Sequence, residues 1–333
     1  MKVFDLHSDL FTDIAWRRER GETNVFDTVH YPYLKAGGVD ALICVFWVEP
    51  KFRNQAFERF QRIFSYVMED LKSSRHLVIQ DPGNPKVVSS DKVSVYLGTE
   101  GLTFLEEWKG TSLQAKIENG FSWLSDEKVN HAIFSWNEHN FLATGTGAVS
   151  SQANGLTDLG QFALKQGEIN NWVVDVTHLD EASFWDIYHL SDQAIMASHS
   201  NSRSICQHER NLTDQQIKAI AARDGIIGLN AYGEFVHSET PNVDHFIDHA
   251  IHIANLVGYE YIGFGFDFID YLKDYDLGGT PMRTVTNGLE DASKIPELLF
   301  RMEQRGFSRK EMEAISFDNA NQFMQKRFDS ENK

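Results

Sequence analysis

The chain has 333 residues and a formal net charge of −17, from 48 acidic residues against 31 Lys and Arg. That length accommodates one large α/β domain or two ordinary ones, and 42% hydrophobic with 24% charged residues excludes wholesale disorder. The acidic balance argues against a nucleic acid or an anionic membrane surface as partner, because phosphate recognition needs clustered Lys and Arg. Two cysteines, Cys44 and Cys206, cannot build a disulfide framework or a Cys-rich zinc module. The opening MKVFDLHSDL lacks the basic-then-apolar pattern of a leader, and no run approaches the roughly 18 apolar residues of a membrane span. The expected setting is therefore cytoplasmic, with no membrane partner.

Short runs of β-branched and aromatic residues alternate with amphipathic stretches. The predicted strands cover residues 3–5, 41–48, 93–97, 131–136, 172–177, 194–198, 226–230 and 262–266. Each is short and largely apolar, as in strands buried on both faces of a parallel sheet. A helix is predicted over 55–73, where Phe57, Phe60, Ile63, Phe64, Val67 and Leu71 recur close to a 3.6-residue period. Further helices are predicted over 159–166, 181–190, 214–222 and 243–257, with Thr213 as N-cap before Asp214. Helices over 294–305 and 309–328 close the chain. Strands and helices alternating in this number predict a (β/α)8 TIM barrel, one domain over 1–333 with closing helices from about 289 to 328. A doubly wound open sheet is the alternative fold, weakened by the lack of a G-x-G-x-x-G after the first strand.

Metal-capable side chains fall at the C-terminal ends of these strands. His7 and Asp9 come just past the first strand, and two residues apart in an extended segment they point to the same side. Glu100 follows the third strand, while His178, His199 and Asp267 end the fifth, sixth and eighth. In a barrel these ends converge on one mouth, where active sites are built. Imidazole and carboxylate without thiolate suit Zn²⁺, and also Mn²⁺, Co²⁺ or Fe²⁺. Three His, two Asp and one Glu exceed what one tetrahedral ion needs, so two ions bridged by a carboxylate are expected. His245, His249 and His252 approximate the zincin spacing, but Phe246 stands at the general-base position, so they read as surface or packing residues. Cys44, inside the second strand, reads as core.

Seven segments occur in order through nearly the whole chain: Asp5-Leu-His7-Ser-Asp9, Thr99-Glu100-Gly101, Gly155-Leu-Thr157, Asp175-Val-Thr-His178-Leu, Ser198-His199-Ser-Asn201, Arg210-Asn-Leu-Thr-Asp214 and Gly265-Phe-Asp267-Phe. In them the sequence resembles the membrane (renal) dipeptidase family, peptidase family M19, of the amidohydrolase superfamily. The resemblance implies a zinc-dependent dipeptidase on a (β/α)8 barrel, with two Zn²⁺ and a metal-bridging hydroxide. It implies His7 and Asp9 on one zinc, His178 and His199 on the other, and Glu100 bridging both. It gives Arg210 the substrate's C-terminal carboxylate, since a guanidinium fork fits a carboxylate. Asp267 would take the proton from the attacking water and contact the substrate amine. Hydrolysis of dipeptides with a C-terminal D-residue is known in the family, and its members are commonly homodimers.

Two departures mark this chain. The family's fourth strand often ends Leu-Thr-His, but here the segment reads Phe134-Ser135-Trp136-Asn137. Trp136 donates from its indole N–H and cannot take a proton, so it is expected at the substrate with an altered preference; His139 is the neighbour that could stand in. After the eighth strand the family's Asp-Phe-Asp-Gly reads Asp267-Phe268-Ile269-Asp270, which keeps the first Asp and loses the Asp-Gly. A lactonase, an acylamino-acid deacylase or a deaminase of the same superfamily would use the same ligands; Arg210 discriminates, since without a substrate carboxylate it has no role. A barrel that binds metal or peptide without turnover is the other alternative.

Overall fold

A computed structural model describes residues 1–81, 91–149, 155–275 and 285–328. In chain order the first half runs β1 (Val3–Ser8), α1 (Leu10–Glu19), α2 (Tyr31–Gly37), β2 (Val39–Trp47), α3 (Ala56–Ser73), β3 (Leu77–Ile79), β4 (Val93–Glu100), α4 (Leu113–Asp126) and β5 (Val129–Ile133). The second half runs α5 (Asp158–Ile169), β6 (Val173–Asp175), α6 (Glu181–Leu190), β7 (Met196–Ala197), α7 (Asp214–Ala222), β8 (Ile226–Leu229), α8 (Gly233–Val236), α9 (Val243–Val257) and β9 (Ile262–Phe264). It ends with α10 (Ile295–Gln304), α11 (Arg309–Glu313) and α12 (Asn319–Phe328).

The strands pair in parallel in the order β2-β1-β9-β8-β7-β6-β5-β4. A β2–β4 ladder from Ala41↔Ser94 to Trp47↔Glu100 closes the ring. The fold is thus an eight-stranded TIM barrel, and closure decides against the open sheet. The ninth strand, β3, pairs only with the start of β4, from Leu77↔Val93 to Ile79↔Val95. Three residues are too few to show a period, which is why the sequence pattern does not reveal it.

Inside the ring, Phe4, Leu6, Ala41, Ile43, Val173, Met196 and Ile226 form one buried cluster, covered by Ala320, Phe323 and Met324 of α12. The other strand faces pack outward against the helices. A single helix over 309–328 is not what forms: a π-helical turn, Ala314–Asp318, separates α11 from α12. It sends Ile315 to the outer core and Phe317 to the inner one. Thr213 caps α7 as expected, in a capping box with Gln216.

Strand ends differ from the sequence pattern where they carry the chemistry. β1 and β4 run on to Ser8 and Glu100, so His7 and Glu100 lie within strands rather than past them. β6, β7 and β9 stop at Asp175, Ala197 and Phe264, so His178, His199 and Asp267 stand in the loops beyond. β5 stops at Ile133, which places Trp136 in a loop as well. The strands end early because side chains take over their backbone groups: Asp175 Oδ1 accepts from the N–H groups of Thr177 and Ser198.

Close strand approach explains two glycines. A Cβ on Gly228 would lie 1.8 Å from the Ser198 carbonyl oxygen, and one on Gly265 would lie 1.7 Å from it. Only glycine lets β8 and the β9 end come so near the His199 segment.

Candidate metal centre

His7 and Asp9 do not meet through period-two alternation. Phe4 and Leu6 face the inner core, and strict alternation would next turn Ser8 inward. Pairing of β1 with β2 shifts between Asp5 and Ser8, as in a bulge, and His7 reaches the mouth instead. Asp9 is not extended; it has φ −88° and ψ 19° and precedes α1. The pair still meets, with His7 Nε2 3.7 Å from Asp9 Oδ2.

Glu100 stands at the centre. Its Oε1 lies 2.7 Å from His178 Nε2 and 3.8 Å from His199 Nε2, and its Oε2 lies 3.6 Å from His7 Nε2. On the far side, His7 Nε2 is 4.0 Å from Asp267 Oδ1. Two groups of donor atoms result, His7/Glu100/His199 and His7/Asp9/Asp267, each within 4.8 Å. All six residues named from the sequence therefore converge, and the one carboxylate facing both halves is Glu100.

The donors fit a cation. Both ring nitrogens of His7 and Oδ1 of Asp9 are buried without a hydrogen-bond partner among the described residues, an arrangement that is costly unless something else satisfies them. Burial pushes Glu100 well above the ordinary carboxylate range and Asp267 up to about 7, with the Asp9 charge adding to both. Burial opposes protonation of His7, but Glu100, Asp9 and Asp267 outweigh it and hold the imidazole up at about 10. The cluster thus recruits positive charge.

Supporting residues aim the candidate ligands. His178 Nδ1 lies 2.7 Å from Asn137 Oδ1, and His199 Nδ1 lies 2.9 Å from Ser198 Oγ, which leaves each Nε2 facing the centre. His178 and Asp267 both adopt left-handed backbone, φ +69° and +56°, unusual for non-glycine residues and recurrent at functional sites. Asp267 Oδ2 accepts from Asn230 Nδ2 at 3.1 Å. Deeper in the barrel, His131 Nε2 meets Asp175 Oδ2 at 2.8 Å. Burial alone would raise Asp175, but His131 holds it below the ordinary range. Asp5 Oδ1 accepts from the N–H groups of Phe266 and His7 and so ties two ligand-bearing segments together; burial drives its carboxyl up to about 7. Sequence reasoning missed Asn137, Asn230, His131, Asp175 and Asp5 as supports. The signal for the two aspartates was a charged residue in an otherwise apolar strand, two or three residues before a candidate ligand.

Arg210 is buried and stands with Nη2 3.1 Å from His178 Nε2. Its Nε has no partner, and no carboxylate lies within ion-pair distance among the described residues. Burial pulls it down to about 10 against the attraction of Asp267 and Glu100. Trp136 sits half-buried at the same mouth, its ring 5.8 Å from His178 and 5.3 Å from Trp47. His139 turns away to Thr144 Oγ1 at 3.0 Å. The loop residue Gly145, which reads from sequence as part of a flexible loop, packs on the Trp136 carbonyl, 2.0 Å from where its Cβ would be.

The helical histidines part company. His249 is buried between Ser202 N and the Val236 carbonyl, His252 pairs with Asp214, and His245 stacks on His237. They hold no common centre. Cys44 is a core residue whose thiol burial pushes well up.

The sequence pattern of the family described as membrane dipeptidase (peptidase family M19) matches residues 1–332. The chain belongs to that family. An uncharacterized dipeptidase of Schizosaccharomyces pombe is 27% identical over 275 residues, 77% of this chain and 61% of that protein. The chain thus spans less than two thirds of the length of that curated relative. Two solved structures share the fold. A dipeptidase described as an M19 metallopeptidase superposes with TM-score 0.83 at 20% identity, covering 98% of this chain and 99% of the other. A metallopeptidase from Rhodobacter sphaeroides, liganded with a phosphinate mimic of L-Ala-D-Ala, gives 0.82 at 18% identity and the same coverage. Among the described residues of this M19 chain, no helix is long and apolar enough to cross a membrane.

Proposed function

We propose that the chain is a zinc-dependent dipeptidase that hydrolyses the peptide bond of free dipeptides, those with a C-terminal D-residue included. His7 and Asp9 would hold one zinc, His178 and His199 the other, and Glu100 both. When bound, the two ions would supply Lewis acidity and bring a shared water's pKa from about 15.7 toward about 7.

The observation that carries the reading is Arg210: a buried guanidinium without a carboxylate, beside the ligand His178. A substrate carboxylate is the group such a fork accepts. A lactone or nucleobase supplies none, which sets the lactonase and deaminase readings behind this one. Asp267 Oδ1 would take the proton of the attacking water and deliver it to the leaving amine, while Asn230 keeps Oδ2 engaged. Trp136 closes the mouth beside His178 and offers its indole N–H to the substrate. Acceptance of a C-terminal D-residue is supported by the dipeptide mimic bound to the Rhodobacter neighbour. A cytoplasmic setting is supported by two free, buried cysteines; a homodimer rests on the family resemblance. Turnover of L,L and L,D dipeptides and of their C-terminal amides, before and after chelation, tests the reading.

A further inference from the structure

The loop after β5 brings two residues to the candidate centre, and the next residue along anchors that loop. Trp136 has its ring 5.8 Å from His178, and Asn137 Oδ1 lies 2.7 Å from His178 Nδ1. Glu138 follows directly, and its side chain joins two other loops at the same mouth. Oε2 accepts from Arg53 Nη2 at 3.0 Å, and Arg53 lies in the 3₁₀ turn Pro50–Gln55 after β2. Oε1 accepts from the Thr103 hydroxyl at 3.0 Å, and Thr103 opens the 3₁₀ turn Thr103–Glu107 after β4. The Glu138 backbone carbonyl accepts from Ser135 Oγ at 2.6 Å and from the Gly145 N–H at 2.8 Å. One residue thus ties together the loops that follow β2, β4 and β5.

The same loop is fastened to the His178 segment. The Thr146 N–H donates to the His178 carbonyl at 2.8 Å, and the Asp180 N–H donates to the Thr144 carbonyl at 2.9 Å. Gly145 pairs with Leu179 and His139 with Thr144 in single antiparallel bridges. The packing leaves little slack, because a Cβ on Gly147 would stand only 3.0 Å from Asn137 Cβ, and one on Gly145 only 2.7 Å from the Asn137 carbonyl carbon. His178 itself has φ +69°, a backbone state that local preference disfavours outside glycine. Its placement therefore depends on this tertiary support.

Glu138 suits the anchoring task. A carboxylate accepts from a guanidinium on one oxygen and from a hydroxyl on the other at the same time. The Arg53 and Glu138 side chains are only 19% and 27% exposed, so the pair is less screened than an ordinary surface ion pair.

We propose that Glu138, locked by Arg53 and Thr103, is a positioning residue for the metal centre. It acts through Asn137, which sets the His178 ring, so that the ion assigned to His178 and His199 depends on an ion pair that supplies no ligand to it. This rests on the zinc assignment of the dipeptidase reading and goes beyond it.

The test is zinc titration of the full chain by calorimetry, with the two ions resolved. Glu138→Ala should weaken one ion roughly 10-fold, the low end of the effect of removing a ligand's outer support, and leave the other unchanged. Arg53→Met removes the opposite partner and should weaken the same ion. Glu138→Gln keeps an acceptor for Arg53 and should retain part of the affinity. In the Asn137→Ala background, Glu138→Ala should change affinity by less than about 2-fold, because members of one network do not act additively. Wild-type affinity in Glu138→Ala and Arg53→Met, whatever their unfolding midpoints, would make the pair a structural brace and overturn the proposal. Equal weakening of both ions would overturn it as well, and so would a full 10-fold loss that persists without Asn137. Wild-type protein that takes up no zinc would overturn the zinc reading itself.

Discussion

The Nε2 atoms of His178 and His199 face each other at 3.0 Å, while Nδ1 of each ring rests on a side-chain oxygen, of Asn137 and Ser198 respectively. Two such nitrogens repel unless something positive lies between or beside them, and Glu100 Oε1 completes the concavity. Asn137 sets which nitrogen of His178 is presented. Asn137→Ala should lower zinc affinity or kcat/KM by roughly 10- to 100-fold, the usual consequence of removing a ligand's orienting partner. Metal titration of the variant checks this, and an unchanged affinity would remove Asn137 from that role.

Arg210 gives a test specific to the substrate. Arg210→Ala should raise KM for free dipeptides by about 30-fold or more, as for loss of one partner of a buried charged pair. Dipeptide amides, which lack the carboxylate, should change far less. Equal changes in both series would detach Arg210 from carboxylate binding.

The crowding at Ser198 predicts a fold defect rather than a chemical one. Gly265→Ala would press a methyl to 1.7 Å from the Ser198 carbonyl oxygen, which neither backbone can clear without moving. A destabilisation of several kcal/mol, about 3 or more, is expected from such overpacking, with metal uptake reduced because His199 and Asp267 flank the contact. Denaturant unfolding of the zinc-free protein reads it; wild-type stability in the variant would show that the strands have room to separate.

Just past the end of β2 lies a buried ion pair. Glu49 accepts from Arg59 Nη2 at 2.6 Å and Nε at 2.9 Å, and Tyr275 donates its hydroxyl to the same carboxylate. Burial alone would raise Glu49, but the Arg59 bonds hold it below the ordinary range. A depressed carboxylate contributes stability that is full above its unfolded value, about 4.3, and is lost as pH falls through its folded value. At neutral pH Glu49→Ala should cost less than the roughly 3–5 kcal/mol of a fully stranded buried charge, since Arg59 keeps its bond to Glu19. The difference from wild type should shrink on acidification below pH of about 4. A constant difference down to low pH would contradict the ionised pair.

The barrel and its six converging residues were legible because two signals coincide: apolar runs of strand length, and a metal-capable residue at the end of most of them. Boundaries were less legible. His178 and Asp267 sit in left-handed backbone beyond their strands, held by Asp175 and Asp5 through side-chain hydrogen bonds that no local propensity encodes. His7 reaches the mouth through a pairing irregularity rather than through alternation. Asn137, 41 residues from His178 in sequence, could not be paired with it before the loops were placed.

The most direct test of the account is the zinc content of the purified protein, paired with turnover of small dipeptides before and after chelation. The account predicts about two zinc ions per chain, cleavage abolished by the chelator, and recovery on adding zinc back. A folded protein that takes up no metal from excess zinc, or one that keeps full turnover once stripped, would contradict it.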